Sequence, residues 1–184
     1  RDRSVSRGLG DVYKRQRMDA VYKDYMIAET NLQEVAQQVL LQNKYYLIQS
    51  HVKAEVACPD TVYSDKKWIA FILNQLIQNS VKYGRSEGTH IQIVTKKTKS
   101  GVLLRVKDDG IGIPKEEIPR IFEKGFTGTN GRNRERSTGM GLYLCRKLCD
   151  KLNIEIRAES AEGKGTEIIL MFPVSDYLTG YRET

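Results

Sequence analysis

The segment Asp108-Asp109-Gly110-Ile111-Gly112-Ile113-Pro114 directly follows residues 102–107, whose alternation of apolar and polar side chains predicts a strand. A carboxylate at the end of a strand can accept a hydrogen bond from the exocyclic amine of adenine, whereas guanine has a carbonyl at that position. The spaced glycines let the backbone approach a flat base closely. Asp-Gly also occurs in plain turns, but two spaced glycines before Ile-Pro favour a binding loop. The segment therefore predicts an adenine-binding loop.

The strongest predicted helix lies upstream of this loop, and residues 69–76 carry its apolar side chains at core spacing. Asn79, Lys82 and Tyr83 share its other face, with Gln75 one turn earlier. A carboxamide oxygen suits Mg²⁺, which bridges phosphate oxygens, a lysine attracts phosphate as a point charge, and a tyrosine ring can lie on a purine. The alternative is an ordinary solvated helix face.

Two further glycine segments follow. Ser137-Thr138-Gly139-Met140-Gly141-Leu142 precedes a predicted helix, whose exposed N–H groups and dipole favour a polyphosphate. Gly163-Lys164-Gly165-Thr166 precedes the last predicted strand and by itself is a hairpin turn. Residues 125–138 contain three glycines and many charges without an apolar period, which predicts a long mobile loop.

In combination, these segments resemble the N, G1, F, G2 and C-terminal glycine boxes of the histidine kinase catalytic domain. The matching segments are NSVKYG (79–84), DDGIGIP (108–114), IFEKGFTG (121–128) and STGMGLYL (137–144). The resemblance covers about residues 31–173 and is greatest to the peptide-antibiotic-sensing (bacitracin-sensor) kinases of Gram-positive bacteria. It implies a Bergerat-fold α/β sandwich, as in gyrase, Hsp90 and MutL, with a mixed β-sheet covered on one face by helices and a mobile ATP lid.

The resemblance also implies roles for individual residues in binding Mg²⁺ and ATP. Asn79 would hold Mg²⁺, Lys82 would touch phosphate, Tyr83 would pack on the adenine, and Asp108 would bond its amine. Gln75 and Asn79 are the expected catalytic residues. The other expected nucleotide-binding residues are Gly110, Gly112, Ile113, Thr138, Gly139, Met140, Gly141, Leu142 and Thr166, with Phe122 and Phe126 anchoring the lid, and with Lys124, Arg132, Arg134 and Arg136 reaching the phosphates.

The sequence departs from the family pattern at two positions. Ser137 stands where a glycine is frequent, which would stiffen the lid hinge slightly. Gln75 stands where many relatives have asparagine and the ATP-hydrolysing relatives have glutamate. Hydrolysis needs a base that activates water, and a glutamine cannot take up a proton, so an ATPase is not expected. A kinase can rely mainly on positioning and Mg²⁺ to transfer the γ-phosphoryl group.

The expected activity is therefore a histidine kinase whose acceptor lies outside this chain. His51 and His90 are the only two histidines, and neither stands in the helical His-Glu or His-Asp context of the family's phosphoacceptor. The expected partners are ATP, a histidine-containing dimerisation domain of the same protein and a response regulator. Two alternatives stay open, namely an anti-sigma-type serine kinase and a nucleotide-binding module without transfer activity.

Composition limits the remaining classes of function. The net charge is +7, of which residues 1–16 contribute +3 through five basic and two acidic side chains. No basic stripe with interleaved aromatics is visible, so nucleic acid is not an expected partner.

No apolar run spans a membrane and no secretory leader is visible. Three sparse cysteines fit a reduced cytosolic chain. We expect a monomeric cytoplasmic portion of a membrane-anchored kinase, with Cys145 and Cys149 as core positions.

The expected organisation is a disordered or non-native leader (1–17), the remnant of an upstream dimerisation helix or linker (18–30), the ATP-binding domain (31–174) and a tail (175–184). Thr30 and Asn31 predict a helix cap. Residues 45–50, 52–57, 91–96, 102–107, 154–158 and 167–172 predict strands, and residues 115–122 and 141–151 predict helices.

Overall fold

The structure of the chain is a computed structural model that describes residues 25–132 and 138–174. A turn of 3-10 helix, Ile118–Arg120, lies between the strand Gly101–Asp108 and the helix Gly128–Arg132. The elements in chain order are β1 (Ala28–Asn31), α1 (Leu32–Gln42), α2 (Lys44–Gln49), β2 (Val52–Ala57), β3 (Thr61–Ser64), α3 (Lys66–Lys82), β4 (Thr89–Thr98), β5 (Gly101–Asp108), α4 (Gly128–Arg132), α5 (Gly141–Lys151), β6 (Glu155–Ala161) and β7 (Gly165–Pro173).

The main sheet has five strands in the order β2-β4-β5-β7-β6. Strand β2 pairs with β4 in parallel, and every other neighbouring pair is antiparallel. A second sheet has two antiparallel strands, β1 and β3. The predicted fold class, an α/β sandwich with one mixed sheet, is therefore confirmed.

The hydrophobic core lies between the main sheet and helices α1, α3 and α5. In β4, Ile91 and Ile93 are fully buried while Gln92 and Val94 are exposed, so only one face of this strand is covered. Helix α3 packs against both α1 and α5. Its side chains with at most 2% exposure are Trp68, Ile69, Ile72, Leu73, Leu76 and Ile77.

Side-chain caps fix where α1 and α3 begin. Asn31 Oδ1 accepts a hydrogen bond from Glu34 N at 3.1 Å, as the sequence predicts. Asp65 Oδ1 accepts from Trp68 N at 3.0 Å, and its Oδ2 accepts from Met26 N at 2.7 Å. Asp65 therefore caps the central helix and also holds the chain that leads into β1.

Residues 45–50 do not form the predicted strand, because Lys44–Gln49 is helix α2. Tyrosine and isoleucine favour strands in general, but here the backbone bonds locally, with Leu47 N donating to Asn43 O at 2.9 Å. Asn43 Nδ2 also donates to Asn74 Oδ1 of α3 at 2.8 Å, which holds the start of α2 against the central helix. His51, with φ 54, then reverses the chain into β2.

The predicted helix over residues 115–122 is wrong in extent, because only Ile118–Arg120 is helical and forms a single 3-10 turn. Pro119 explains the difference. A proline in the middle of an α-helix removes one backbone donor, and its ring clashes with the preceding turn.

The start of the domain also differs from the expectation. Residues 25–27 are not helical, and Ala28–Asn31 is strand β1, which pairs with β3, so the folded unit begins before residue 31. Part of the predicted loop over residues 125–138 forms the short helix α4. Ser137, Arg134 and Arg136 lie outside the described residues, as do the leader and the tail.

We predict that Asp65→Ala lowers the free energy of unfolding by about 2 kcal/mol, because it leaves the amides of Trp68 and Met26 without their acceptor. Urea unfolding measures the change. Asn31→Ala removes the exposed cap of α1 and is the matched control, with an expected loss of about 0.5–1 kcal/mol. An Asp65→Ala protein no less stable than the Asn31→Ala protein would contradict the double role of Asp65.

Candidate functional site

A cleft lies beside the C-terminal half of α3 and has two adjoining compartments. The apolar compartment includes Leu76, Ile113 and Ile168 in its lining, together with Asp108 and Thr166. The polar compartment is lined mainly by Gln75, Gln78, Asn79, Lys82, Thr138, Gly139 and Gly141. Residues that line both are Asn79, Tyr83, Ile121, Phe126, Thr127 and Leu142. The cleft can therefore hold one ligand with a flat apolar part and a polar part.

Asp108 is the buried carboxylate of the apolar compartment and is only 7% exposed. Its Oδ2 accepts a hydrogen bond from Ser80 Oγ at 2.8 Å, and its Oδ1 accepts from Gly110 N at 3.0 Å and Thr166 N at 3.2 Å. Burial raises the pKa of Asp108 above its usual range, and the three hydrogen bonds partly oppose that shift. A carboxylate has about four acceptor sites, so one remains for an amine of a ligand.

The hydroxyl of Ser160 links the loop that follows Asp108 to the β6–β7 hairpin. Ser160 Oγ, on β6, accepts from Ile113 N at 2.9 Å and donates to Gly165 O at 2.7 Å. The same oxygen lies 2.9 Å from Thr166 Oγ1. The wall around Asp108 is therefore tied to both strands of the β6–β7 hairpin.

Glycines allow the loop after β5 to pass between α3 and that hairpin. A Cβ on Gly110 would stand 2.5 Å from Tyr83 O, and one on Gly112 would stand 2.1 Å from Ala161 O. Gly112 also has φ 73, which favours glycine. The amide of Ile111 donates to Tyr83 O at 3.0 Å, so the loop is fixed to the end of α3.

The polar compartment is built on the face of α3 that the sequence predicts. Gln75, Asn79, Lys82 and Tyr83 all line it, and Lys82 Nζ lies 5.3 Å from the centroid of the Tyr83 ring. Its other wall is the start of α5. A Cβ on Gly141 would stand 2.9 Å from Gln75 Oε1, so a side chain there would crowd this glutamine.

Gly125 and Gly139, which lie on either side of the predicted lid, contact one another. Gly125 N donates to Gly139 O at 3.0 Å, and a Cβ on Gly139 would stand 2.4 Å from Gly125 C. Phe126 lines both compartments at the near end of the predicted lid, with Arg120 Cζ 4.6 Å from its ring centroid. The two ends of the predicted lid are therefore adjacent.

The structure brings most of the predicted site residues together. Those that line the cleft are Gln75, Asn79, Lys82, Tyr83, Asp108, Gly112, Ile113, Phe126, Thr138, Gly139, Gly141, Leu142 and Thr166.

Four predicted residues lie outside the lining of either compartment. Gly110 lies behind Asp108, Phe122 packs against the core, Met140 caps α5, and Lys124 is exposed. The side chain of Arg132 lies outside the described part of the chain, like the other lid arginines.

Sequence reasoning missed several lining residues. Ser80 stands four residues after Leu76, on the buried stripe of α3. That spacing was the available signal, but the other residues of the stripe are apolar and do not suggest a binding site. Glu117 lines the apolar compartment, and its Oε1 accepts from Thr129 N at 2.8 Å, which holds the start of α4. Tyr46 lines the polar compartment from α2. The sequence predicts a strand over residues 45–50, so it does not indicate that Tyr46 faces the cleft.

The cysteines and histidines take no part in the lining of the cleft. Cys58, Cys145 and Cys149 are buried, and burial raises the pKa of the thiols of Cys58 and Cys149 to about 11 and about 12. The core positions expected for Cys145 and Cys149 are confirmed. His90 lies in β4, with Nε2 3.3 Å from Glu55 Oε1, and His51 is exposed in the connection before β2.

None of the helices in residues 25–132 and 138–174 is long and apolar enough to cross a bilayer.

Comparison with known proteins agrees with this geometry. Residues 64–176 match the family described as "Histidine kinase-, DNA gyrase B-, and HSP90-like ATPase". The chain is 34% identical over 172 residues to the sensor histidine kinase YxdK of Bacillus subtilis (strain 168). The aligned region covers 92% of this chain and 53% of YxdK. It is 45% identical over 117 residues to the sensor protein kinase GraS of Staphylococcus aureus (strain JH1). This alignment covers 64% of this chain and 33% of GraS. The chain thus spans about half the length of the first relative and a third of the second.

Solved structures show the same fold. A nucleotide-free catalytic domain of the histidine kinase ThkA aligns with a TM-score of 0.69 and 26% identity, over 80% of this chain and 97% of that one. The mycobacterial sensor histidine kinase MprB aligns with a TM-score of 0.70 and 22% identity, over 79% and 97% of the two chains. ThkA in complex with the response regulator protein TrrA aligns with a TM-score of 0.69 and 20% identity, over 94% and 50%.

The family match covers more than half of the chain and includes α3, the Asp108 loop and the start of α5. The named relatives are sensor kinases of Gram-positive bacteria. The chain therefore belongs to the histidine kinase-, DNA gyrase B- and HSP90-like ATPase family, and its fold is that of histidine kinase catalytic domains.

Proposed function

We propose that this domain binds Mg·ATP and, in the intact protein, transfers the γ-phosphoryl group to a histidine on a separate dimerisation domain. A single observation carries the proposal. A buried Asp108 with one open acceptor site stands in an apolar compartment, and the adjoining polar compartment has no carboxylate among its described lining residues. The first feature suits adenine, and the second suits transfer better than hydrolysis.

Adenine recognition follows from the apolar compartment. Its apolar walls stabilise a flat base, and Asp108 accepts a hydrogen bond from the exocyclic amine. Guanine presents a carbonyl there, and two acceptors facing one another repel. In this arrangement Tyr83 lies where the base and the phosphates join, because it lines both compartments. Ile113, Leu142 and Thr166 also line this compartment and would contact the base.

The phosphates would occupy the polar compartment, with Mg²⁺ on Asn79. Among the described residues, no group of three or more His, Cys, Asp or Glu could hold a metal ion by itself. An ion beside the neutral oxygen of Asn79 would therefore take most of its ligands from phosphates and water, which is how Mg²⁺ commonly binds. When bound, Mg²⁺ neutralises charge that develops on the phosphates. Lys82 and the amides at Gly139 and Gly141 would supply the remaining positive potential.

Transfer rather than hydrolysis follows from what lines the polar compartment. Gln75 faces the start of α5, where a hydrolysing relative would need a base. An amide cannot take a proton from water, so the site can position a phosphoryl group without activating water to attack it. An incoming imidazole is already a nucleophile and does not need this help.

The acceptor histidine and the later partner lie beyond this chain. His51 and His90 do not line either compartment. The relatives are longer than the matched part of this chain, which leaves room in such proteins for a dimerisation domain. The related ThkA has been solved with a response regulator protein, and we propose the same class of partner here. We further propose that the domain is the cytoplasmic portion of a membrane-anchored kinase.

We predict that Asp108→Asn weakens Mg·ATP binding by about tenfold to a hundredfold, since one hydrogen bond to a charged acceptor contributes about 1.5–3 kcal/mol. Calorimetry with ATP and GTP measures the loss. The matched control is Asp109→Asn. Asp109 is the neighbouring acidic residue, but it does not line the cleft. An Asp108→Asn protein that binds ATP as tightly as the parent would exclude the adenine assignment.

We also predict that the purified chain does not phosphorylate itself. Incubation with γ-labelled ATP and Mg²⁺ should leave His51 and His90 unlabelled, because neither reaches the polar compartment. Addition of a histidine-bearing dimerisation hairpin from the full-length protein should give acid-labile label on the hairpin. Asn79→Ala should abolish that transfer. Label on His51 or His90 would show that the acceptor lies within this chain.

A further inference from the structure

Ser80 is a polar residue on the buried face of the central helix. It stands four residues after Leu76 and three after Ile77, on the stripe that otherwise carries the core side chains of α3. It is 5% exposed, and its hydroxyl points toward the end of β5 rather than into the apolar core. A buried hydroxyl costs free energy unless it is hydrogen-bonded, so the one partner that Ser80 has among the described residues indicates its role.

That partner is the carboxylate of Asp108, at 2.8 Å from Ser80 Oγ to Oδ2. An ionised carboxylate can only accept, so the serine hydroxyl must donate. The two oxygens of Asp108 are held differently. Backbone amides of Gly110 and Thr166 hold Oδ1, whereas Ser80 is the side-chain donor to Oδ2. Without this hydroxyl, the carboxylate is fixed at one oxygen only.

Ser80 also lines the apolar compartment beside Asp108. Because its hydrogen points to Oδ2, the oxygen presents only lone pairs toward a ligand. The wall made by these two side chains then consists of acceptors alone. Such a wall favours a ligand edge that carries an amino group and disfavours one that carries a carbonyl.

We infer that Ser80 is a positioning residue for nucleotide recognition, which fixes the Asp108 carboxylate and keeps this wall of the apolar compartment a pure acceptor surface. The inference rests on the proposed function, because it requires the base to meet Asp108. It adds a residue from α3 to a recognition element that otherwise comes from the loop after β5 and from β7.

The charge state of Asp108 gives a readout specific to this role. Burial and the neighbouring Asp109 carboxylate raise the pKa of Asp108, while donors from Ser80, Gly110 and Thr166 lower it. Loss of the Ser80 hydroxyl therefore raises the pKa of Asp108 further. The ionised form binds the adenine amine, so binding weakens as pH falls through that pKa. In Ser80→Ala, this weakening should begin at a higher pH.

The experiment is calorimetry of Mg·ATP binding to the chain across a pH series from about 4 to 8, a range that brackets a raised aspartate pKa. We expect Ser80→Ala to bind about tenfold more weakly than the parent at neutral pH, with its pH midpoint moved upward. Ser80→Thr keeps the hydroxyl and should restore both values. Ser86→Ala removes an exposed serine that bonds only Glu87 among the described residues, and should change neither.

Thermal unfolding shows whether each variant is folded, and Ser80→Cys, a weaker donor of similar size, replaces Ser80→Ala if the latter is unstable. An unchanged affinity and pH midpoint in Ser80→Ala, or in Ser80→Cys in its place, would overturn the inference and leave the proposed function intact. Equal weakening in Ser80→Ala and Ser80→Thr without a shift of the midpoint would also overturn it, because packing alone would explain the loss. Absence of ATP binding by the parent chain would overturn the proposed function itself.

Discussion

The carboxylate of Asp108 ends a central strand in a place where little water reaches it, since the residue is 7% exposed. Removing such a charge from water costs several kcal/mol unless donors replace the lost hydration. The donors come from α3, from the loop after β5 and from β7, through Ser80, Gly110 and Thr166. Three elements distant in sequence are therefore held around one side chain, and the cleft between them takes its shape from that arrangement.

Close backbone approach is the second consequence of this arrangement. The loop after Asp108 passes between the end of α3 and the β6–β7 hairpin, where Gly110 and Gly112 leave no room for a Cβ. Hydrogen bonds from Ile111 N to Tyr83 O and from Gly163 N to Ile111 O fasten the loop on both sides. This wall of the apolar compartment is consequently held by backbone hydrogen bonds on two sides. At the other end of the cleft, Gly125 N donates to Gly139 O, so these two glycines on either side of the predicted lid are adjacent.

The two compartments suit two tasks in the proposed phosphoryl transfer to a separate acceptor. The apolar compartment would bind the base, and the polar compartment would position the phosphates. Asn79 and Tyr83 stand between the compartments, so one ligand can span both. In the proposed transfer, Gln75 in place of a base would leave the polar compartment suited to positioning phosphates, and the nucleophile would come from another domain. The relatives, which extend beyond the matched region, are consistent with that requirement.

The sequence by itself determined the helices and strands whose apolar period is strong, the cap at Asn31, and the residue types of the cleft, because spacing and capping are local properties. It also contained Pro119, which limits the helix predicted over residues 115–122. Only the tertiary structure decided that residues 44–49 are helical, that β1 pairs with β3, and that Ser80 meets Asp108. The partners of these segments lie 28 or more residues away, in the bonds from Asn43 to Asn74, Thr30 to Ser64 and Ser80 to Asp108. Contacts at that distance override local preference without leaving a pattern in the neighbouring residues.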